Sequence, residues 1–356
     1  MMLRQSLIAF DFWGAGNMGD DLMMAGFVEG LSRCGVQYAG RLSSLSAFDI
    51  GSQRKRFPGI EWFGCKGSAD LDRLLEKAEL VLGVGDTPFQ ITCGDWFLRK
   101  LEHVFGSQRA GAEAMFINVG AEEEILPRAG EFAPILRRLS RCSTRDAFSH
   151  SVLQRLGAEP AANLLPGGDL AHISLERLAG TIATERKHPL GLVVGIDTLS
   201  AHDLDAIKGY LGTVHEPVAF ITGDCRDGPG FEWQLFKSWT KAWLSPLRRK
   251  LILRRPDYGS CGLEELVLPL AECETILSSR LHGIMAAAWL GCRVAAIGRS
   301  SKVVAFAEQL GVPCARPPLT EDAVRNVVQR AVVVPRWVLT ECREAAYRGL
   351  TACKFW

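Results

Sequence analysis

Short apolar runs alternate along this chain with longer stretches in which apolar side chains return every three or four positions. The short runs at 7–10, 80–85, 114–119 and 142–146 have strand character. Between and after them, 22–33, 70–78, 96–105, 134–139 and 147–156 carry the spacing of amphipathic helices, and a further strand is expected near 37–40. Strict alternation of strand and helix predicts a parallel, doubly wound sheet. The pattern breaks at Pro166-Gly-Gly-Asp-Leu-Ala171 and through the polar stretch 179–189, then restarts. Strands are predicted at 192–196, 218–222, 250–253, 275–277, 294–297 and 312–315, with helices at 203–211, 232–244, 263–271, 284–290 and 321–332. The fold class is therefore α/β. Two Rossmann-like domains are expected over 1–175 and 186–335, facing a cleft, with a last helix in 336–356 packing near the domain junction.

Composition narrows the picture by what it excludes. The chain has 356 residues with 41 basic and 40 acidic side chains, a net charge of +1, so no global field marks a nucleic-acid binder. Any anion site must be local. Eleven cysteines are scattered without a C-x-x-C pair or metal-ligand spacing, which predicts reduced, mostly core-filling thiols, a cytoplasmic protein and no metal centre. Residues 1–10 are too short and too soon followed by Asp11 to read as a secretory leader, and no apolar run reaches the roughly 18 residues that span a bilayer.

The chemistry concentrates in Ser278-Ser-Arg-Leu-His-Gly283, between a predicted strand and a small-residue helix. Ligands of open α/β sheets bind outside the carboxyl ends of strands, which is where Ser279, Arg280 and His282 are placed. A second strand ends nearby, and Lys302 opens the helix after it, so two cations and an imidazole converge. Arg145 lies just past another strand end. Near the N-terminus, Gly14, Gly16 and Gly19 satisfy the G-x-G-x-x-G pattern between a strand and a helix, and Arg41 follows where a 2′-phosphate could be held. Asp20 and Asp21 speak against a dinucleotide, because carboxylates in the first turn repel a pyrophosphate seeking the same amides. A polyhydroxylated sugar suits Asn17 and these aspartates better.

One segment raises a different chemistry. Phe231, Trp233, Phe236, Trp239, Trp243 and Leu247 recur near helical spacing among Lys237, Lys241, Arg248, Arg249, Lys250, Arg254 and Arg255. A core-packing helix is the favoured reading; peripheral contact with the inner face of an anionic membrane is the other.

Ser-x-Arg-Leu-His-Gly, with Lys302-Val-x-x-Phe306 downstream, resembles the polysaccharide pyruvyl transferases. Asn17-x-Gly-Asp-Asp21, Arg145-Asp146 followed by Ser149, and Asp169-Leu-Ala171 resemble further elements of that family in the same order. The chain departs from it at Gly83-Val-Gly-Asp-Thr-Pro88 and Gly120-Ala-Glu-Glu-Glu124, where the family carries other glycine-rich loops. The resemblance implies a fold like that of two-domain glycosyltransferases. It also implies transfer of the enolpyruvyl unit of phosphoenolpyruvate onto two hydroxyls of a sugar in a polysaccharide or its precursor. It assigns Arg145, Arg280, Lys302 and Ser279 to phosphoenolpyruvate, His282 and Asp20 to proton transfer, and Asn17 and Asp21 to a sugar, oligosaccharide or lipid-linked glycan acceptor, with no cofactor. Three other readings stand beside it: a nucleotide-sugar glycosyltransferase of the same architecture, an NAD(P)-dependent oxidoreductase built on Gly14, Gly16 and Gly19, and a family member that binds without turnover.

Overall fold

In the computed structural model, the described residues are 1–10, 13–46, 50–64, 68–92, 94–106, 112–157, 163–183, 185–195, 199–226, 231–241 and 246–356. Asp11, Thr184, Ile196, Ala242, Trp243 and Leu244, which entered the expectations above, lie outside them, as do Cys65 and Cys93. The described chain divides into two compact units: residues 1–15, 20–174 and 340–356 form one, and 16–19 with 175–339 the other.

The first unit is a parallel seven-stranded sheet. Its strands are β1 (Ser6–Phe10), β2 (Leu42–Ser46), β3 (Glu61–Gly64), β4 (Leu80–Val84), β5 (Glu113–Val119), β6 (Arg141–Thr144) and β7 (Leu164–Leu165), in the spatial order β3-β2-β1-β4-β5-β6-β7. Strands β4 and β5 are buried along nearly their whole length, as expected where helices cover both faces. The strand expected near 37–40 begins instead at Leu42. Gly40, with φ of 75°, turns the chain there, and Arg41 and Leu42 both donate their N–H groups to the Tyr38 carbonyl. Helix α2 (Ile50–Arg56) escapes the sequence pattern because IGSQRKR has no apolar stripe. Pro134 falls inside a helix, Ala129–Arg138, rather than opening one.

The glycine pair at the first break in the pattern has a packing purpose. A Cβ on Gly168 would lie 2.6 Å from the Ala346 nitrogen, and one on Gly167 would lie 2.5 Å from the Thr144 carbonyl oxygen and 3.2 Å from the Gly349 Cα. These glycines let the terminal helix (Arg336–Ala352) approach, and the buried Asn118 Nδ2 donates to the Ala346 carbonyl at 2.8 Å. A helix, Ala171–Thr181, follows at once, so the stretch from 179 onward holds a helix end and the start of the next strand.

The second unit repeats the plan. Strands β8 (His188–Val193), β9 (Val218–Ile221), β10 (Leu251–Arg254), β11 (Cys273–Ser278), β12 (Arg293–Ile297) and β13 (Cys314–Ala315) run parallel in the order β10-β9-β8-β11-β12-β13, and β14 (Val332–Val333) pairs antiparallel with β12. Helix Glu232–Thr240 turns Leu235 and Trp239 into this unit's core, where Trp239 meets Phe220 edge to face. Trp233 stacks on Phe236 and is flanked by Lys237 and Arg255, so the described tryptophans of this segment are spent on packing and cation–π contacts. Among the described residues, no helix is long and apolar enough to cross a membrane.

Helix Ala201–Thr213 opens with a capping box in which Ser200 and Asp203 bond each other's backbone N–H groups, and Asp203 also accepts from the Leu319 N–H at 2.7 Å. Burial works against the Asp203 charge, but these hydrogen bonds prevail and hold its carboxyl below the ordinary value. A lowered folded pKa means that the stabilisation is full above the unfolded value and is lost as pH falls through the folded one. Asp203→Asn should therefore cost about 1 kcal/mol at neutral pH. The cost should shrink toward zero as the pH falls through the lowered folded pKa, beneath the ordinary carboxylate range, read by urea unfolding at several pH values.

Candidate active site

In the second unit, chain connections leave β8 and β11 in opposite directions, which opens a crevice at their carboxyl ends. The Ser278–Gly283 segment lies there. Ser279 is fully buried: its Oγ accepts from the Gly195 N–H at 2.9 Å and donates to the Gly195 carbonyl, while its N–H reaches the Val193 carbonyl. This is a stitch between the ends of β8 and β11, so Ser279 is a structural residue and not the ligand contact expected for it. Gly283 completes the corner, because a Cβ there would lie 2.5 Å from Ser278 Oγ.

Arg280 caps the next helix (Leu281–Trp289) with extended backbone angles, and its guanidinium is held rather than left to wave. Nε donates to Glu232, and Nη2 lies 3.6 Å from Asp224. Glu232 is fully buried and also accepts from the Gly223 N–H at 2.6 Å and the Asp224 N–H at 3.1 Å. Burial raises the Glu232 pKa, with Arg280 pulling the other way. Gly223 has no side chain because a Cβ would press on Arg280 Cδ at 3.0 Å. Sequence reading missed Glu232 and Asp224; they lie far from the motif in sequence, and only the fold joins them to Arg280.

The glycine-rich turn after β1 has a role unlike that of its pattern. Residues 16–19 group with the second unit: Met18 N–H donates to the Gly223 carbonyl at 2.9 Å, and Cys225 N–H donates to the Gly16 carbonyl at 2.7 Å. Gly19 is required by His282, since a Cβ would lie 2.0 Å from its Nδ1. Asn17 caps the helix Met18–Arg33, its Oδ1 accepting from the Gly19 N–H at 3.0 Å. One amide that a pyrophosphate would need is thus already used, and two aspartates follow, which removes the ground for the NAD(P) reading. Gly19→Ala should push the imidazole aside and lower turnover by about 100-fold, the cost typical of a displacement near 1 Å. The melting temperature should change little, because a side chain rather than backbone must yield.

Asp21 belongs to the first unit's interior. It is fully buried and accepts from Gln53 Nε2 at 2.9 Å and Arg56 Nη1 at 3.2 Å, so it braces α2 and cannot make the acceptor contact expected for it. Asp20 is buried as well. Arg145 follows β6 and is almost fully buried, with Nε donating to Asp146 Oδ2 at 3.1 Å. Burial opposes its charge, yet Asp146, Asp169 and Asp86 outweigh that and raise its pKa. Gly120 makes room for it, a Cβ there falling 2.7 Å from its guanidinium carbon. Its Nη2 has no hydrogen-bond partner. Three carboxylates thus already balance the charge that was expected to bind phosphoenolpyruvate.

Lys302 is half-buried at the second position of its helix (Ser301–Leu310) in the second unit. Arg299, also missed in the sequence, follows β12 and donates from Nε to the Ser279 carbonyl at 2.8 Å. The rule that singled out Arg145, a cation just past a strand end, would have found it, since Arg299 stands two residues beyond Ile297.

Two Rossmann-like doubly wound parallel sheets, with a cation-bearing motif at the switch point of the second, define an α/β enzyme of GT-B-like fold. The polysaccharide pyruvyl transferase family model matches residues 17–301, and the chain belongs to that family, which makes it a transferase. Solved structures share the fold at low identity. HepE from Anabaena in complex with UDP-glucose is 11% identical with a TM-score of 0.60, covering 98% of each chain. MnaA from S. aureus with UDP is 10% identical with a TM-score of 0.60, covering 98% of this chain and 94% of that one. The UDP-GlcNAc 2-epimerase of Methanocaldococcus jannaschii is 11% identical with a TM-score of 0.54, covering 94% and 93%. No curated protein matches the chain.

Proposed function

We propose that the protein transfers the enolpyruvyl unit of phosphoenolpyruvate onto two hydroxyls of a sugar acceptor, forming a pyruvate ketal. The observation that carries this reading is the pairing of a rigidly held arginine, Arg280, with an imidazole seated on Gly19 at the start of one helix. Phosphoenolpyruvate carries a carboxylate and a phosphate, which Arg280, Lys302 and Arg299 suit as bidentate and point-charge donors. His282 protonates the methylene carbon, and a sugar hydroxyl attacks the cationic carbon that results. Phosphate then leaves with a proton as the second hydroxyl closes the ketal. Asp20 and Asn17 are assigned to the acceptor side, with Asp20 taking a hydroxyl proton. Arg145 is assigned to holding the first unit's loops in place rather than to the donor.

The nucleotide-sugar alternative draws support from the UDP-bound proteins of similar fold. A thermal-shift panel with phosphoenolpyruvate, UDP-glucose and NADPH separates the readings. A ligand at 100 times its dissociation constant stabilises by about 2.7 kcal/mol. Phosphoenolpyruvate is expected to give that shift, together with acceptor-dependent phosphate release. A shift with UDP-glucose alone would overturn the proposal, and binding without release would identify a protein that has lost turnover.

A further inference from the structure

The strongest unassigned feature is a cavity of about 440 Å³ in the second unit, lined by Cys225, Arg255, Pro256, Asp257, Tyr258 and Gly259. It lies past the carboxyl ends of β9 and β10, on the side of the sheet edge where ligands of such folds bind. Its volume falls within the usual range of small-molecule sites, about 300–1,000 Å³. Cys225 is one residue from Asp224, which faces Arg280, so one wall of the cavity continues into the segment that holds the donor arginine.

We propose that this cavity takes a neutral pyranose ring of the acceptor glycan. Three observations favour that chemistry. Its wall carries one cation and one carboxylate, Arg255 and Asp257, where a second phosphate would call for several cations and no carboxylate. Arg255 is fixed on two sides, by a bond from Nη2 to the Cys225 carbonyl at 2.5 Å and by the Trp233 ring 5.4 Å away. The carboxylate of Asp257 is exposed and already orders its own turn by accepting from Ser260 Oγ at 2.6 Å. A fixed donor and a fixed acceptor across a small polar hollow match vicinal hydroxyls. The Cys225 thiol takes no covalent part, because burial pushes its pKa up to about 12. The assignment rests on the pyruvyl-transfer reading for its role, but not for its test.

Hydrogen-exchange footprinting of the full chain with methyl glycosides of glucose, galactose and mannose, and separately with UDP, reads the site without turnover. Residues 255–259 should be protected by at least one glycoside, and Asp257→Asn, which keeps an acceptor for Ser260, should weaken that protection at least tenfold in glycoside concentration. No protection by any glycoside, protection elsewhere only, or protection of 255–259 by UDP alone overturns the proposal. Phosphate release from phosphoenolpyruvate is measured in parallel. If it is absent while the glycoside footprint persists, the donor reading fails and the sugar site stands. If it is present, Asp257→Asn should raise the acceptor KM at least tenfold and leave the phosphoenolpyruvate KM unchanged.

Discussion

His282→Ala is expected to abolish phosphate release from phosphoenolpyruvate, by about 10²- to 10⁴-fold, while the thermal shift produced by phosphoenolpyruvate is kept. The split follows from geometry. The imidazole rests against Gly19; under the proposed reaction it contributes a proton, whereas the donor's charges fall to the cations Arg280, Lys302 and Arg299. His282→Gln fills similar space without a titratable group and should behave like the alanine variant. Unchanged rates in both would place the proton donor elsewhere.

The second large effect concerns Arg280 and its buried partner. Arg280→Ala leaves the Glu232 carboxylate enclosed without its counter-charge, a change that typically costs about 3–5 kcal/mol of stability. Under the proposed reaction it also removes a contact to the donor, so phosphoenolpyruvate binding should weaken by about 2 kcal/mol or more. Glu232→Gln separates these consequences. The amide oxygen can still accept from the Gly223 and Asp224 N–H groups, but its NH₂ then faces the Arg280 Nε–H, donor against donor. The fold should persist while the phosphoenolpyruvate KM rises about tenfold, near the worth of one hydrogen bond to a charged group. Equal KM values in wild type and Glu232→Gln would show that the carboxylate does not set the arginine's position.

Much of the architecture was legible because the periods of hydrophobicity are clean. Leu80–Val84 and Glu113–Val119 are apolar runs that only a covered parallel strand explains, and Leu263–Ala271 is a helix with the predicted bounds. Short elements without a pattern, such as Leu164–Leu165 and Ile50–Arg56, were not legible, since their place is set by neighbours. Within the site, the segment from Ser278 to Gly283 could be located from its strand-to-helix setting alone. Burial could not. Asp21, Ser279 and Arg145 have the residue types of ligand contacts, and only the packed structure shows their polar atoms already engaged with Gln53 and Arg56, with Gly195, and with Asp146. The same limit hid Glu232, whose neighbours in the chain suggest nothing but an aromatic helix.

The closing helix carries a consequence for biosynthesis. Asn118 and the Gly167-Gly168 pair wait for residues near Ala346, so the first unit's sheet lacks this covering layer until the whole of 175–339 has been synthesised. Residues 175–339, apart from the short turn at 16–19, form a continuous stretch that can mature sooner. Loss of even a few turns of this helix would therefore harm a part of the molecule translated long before it.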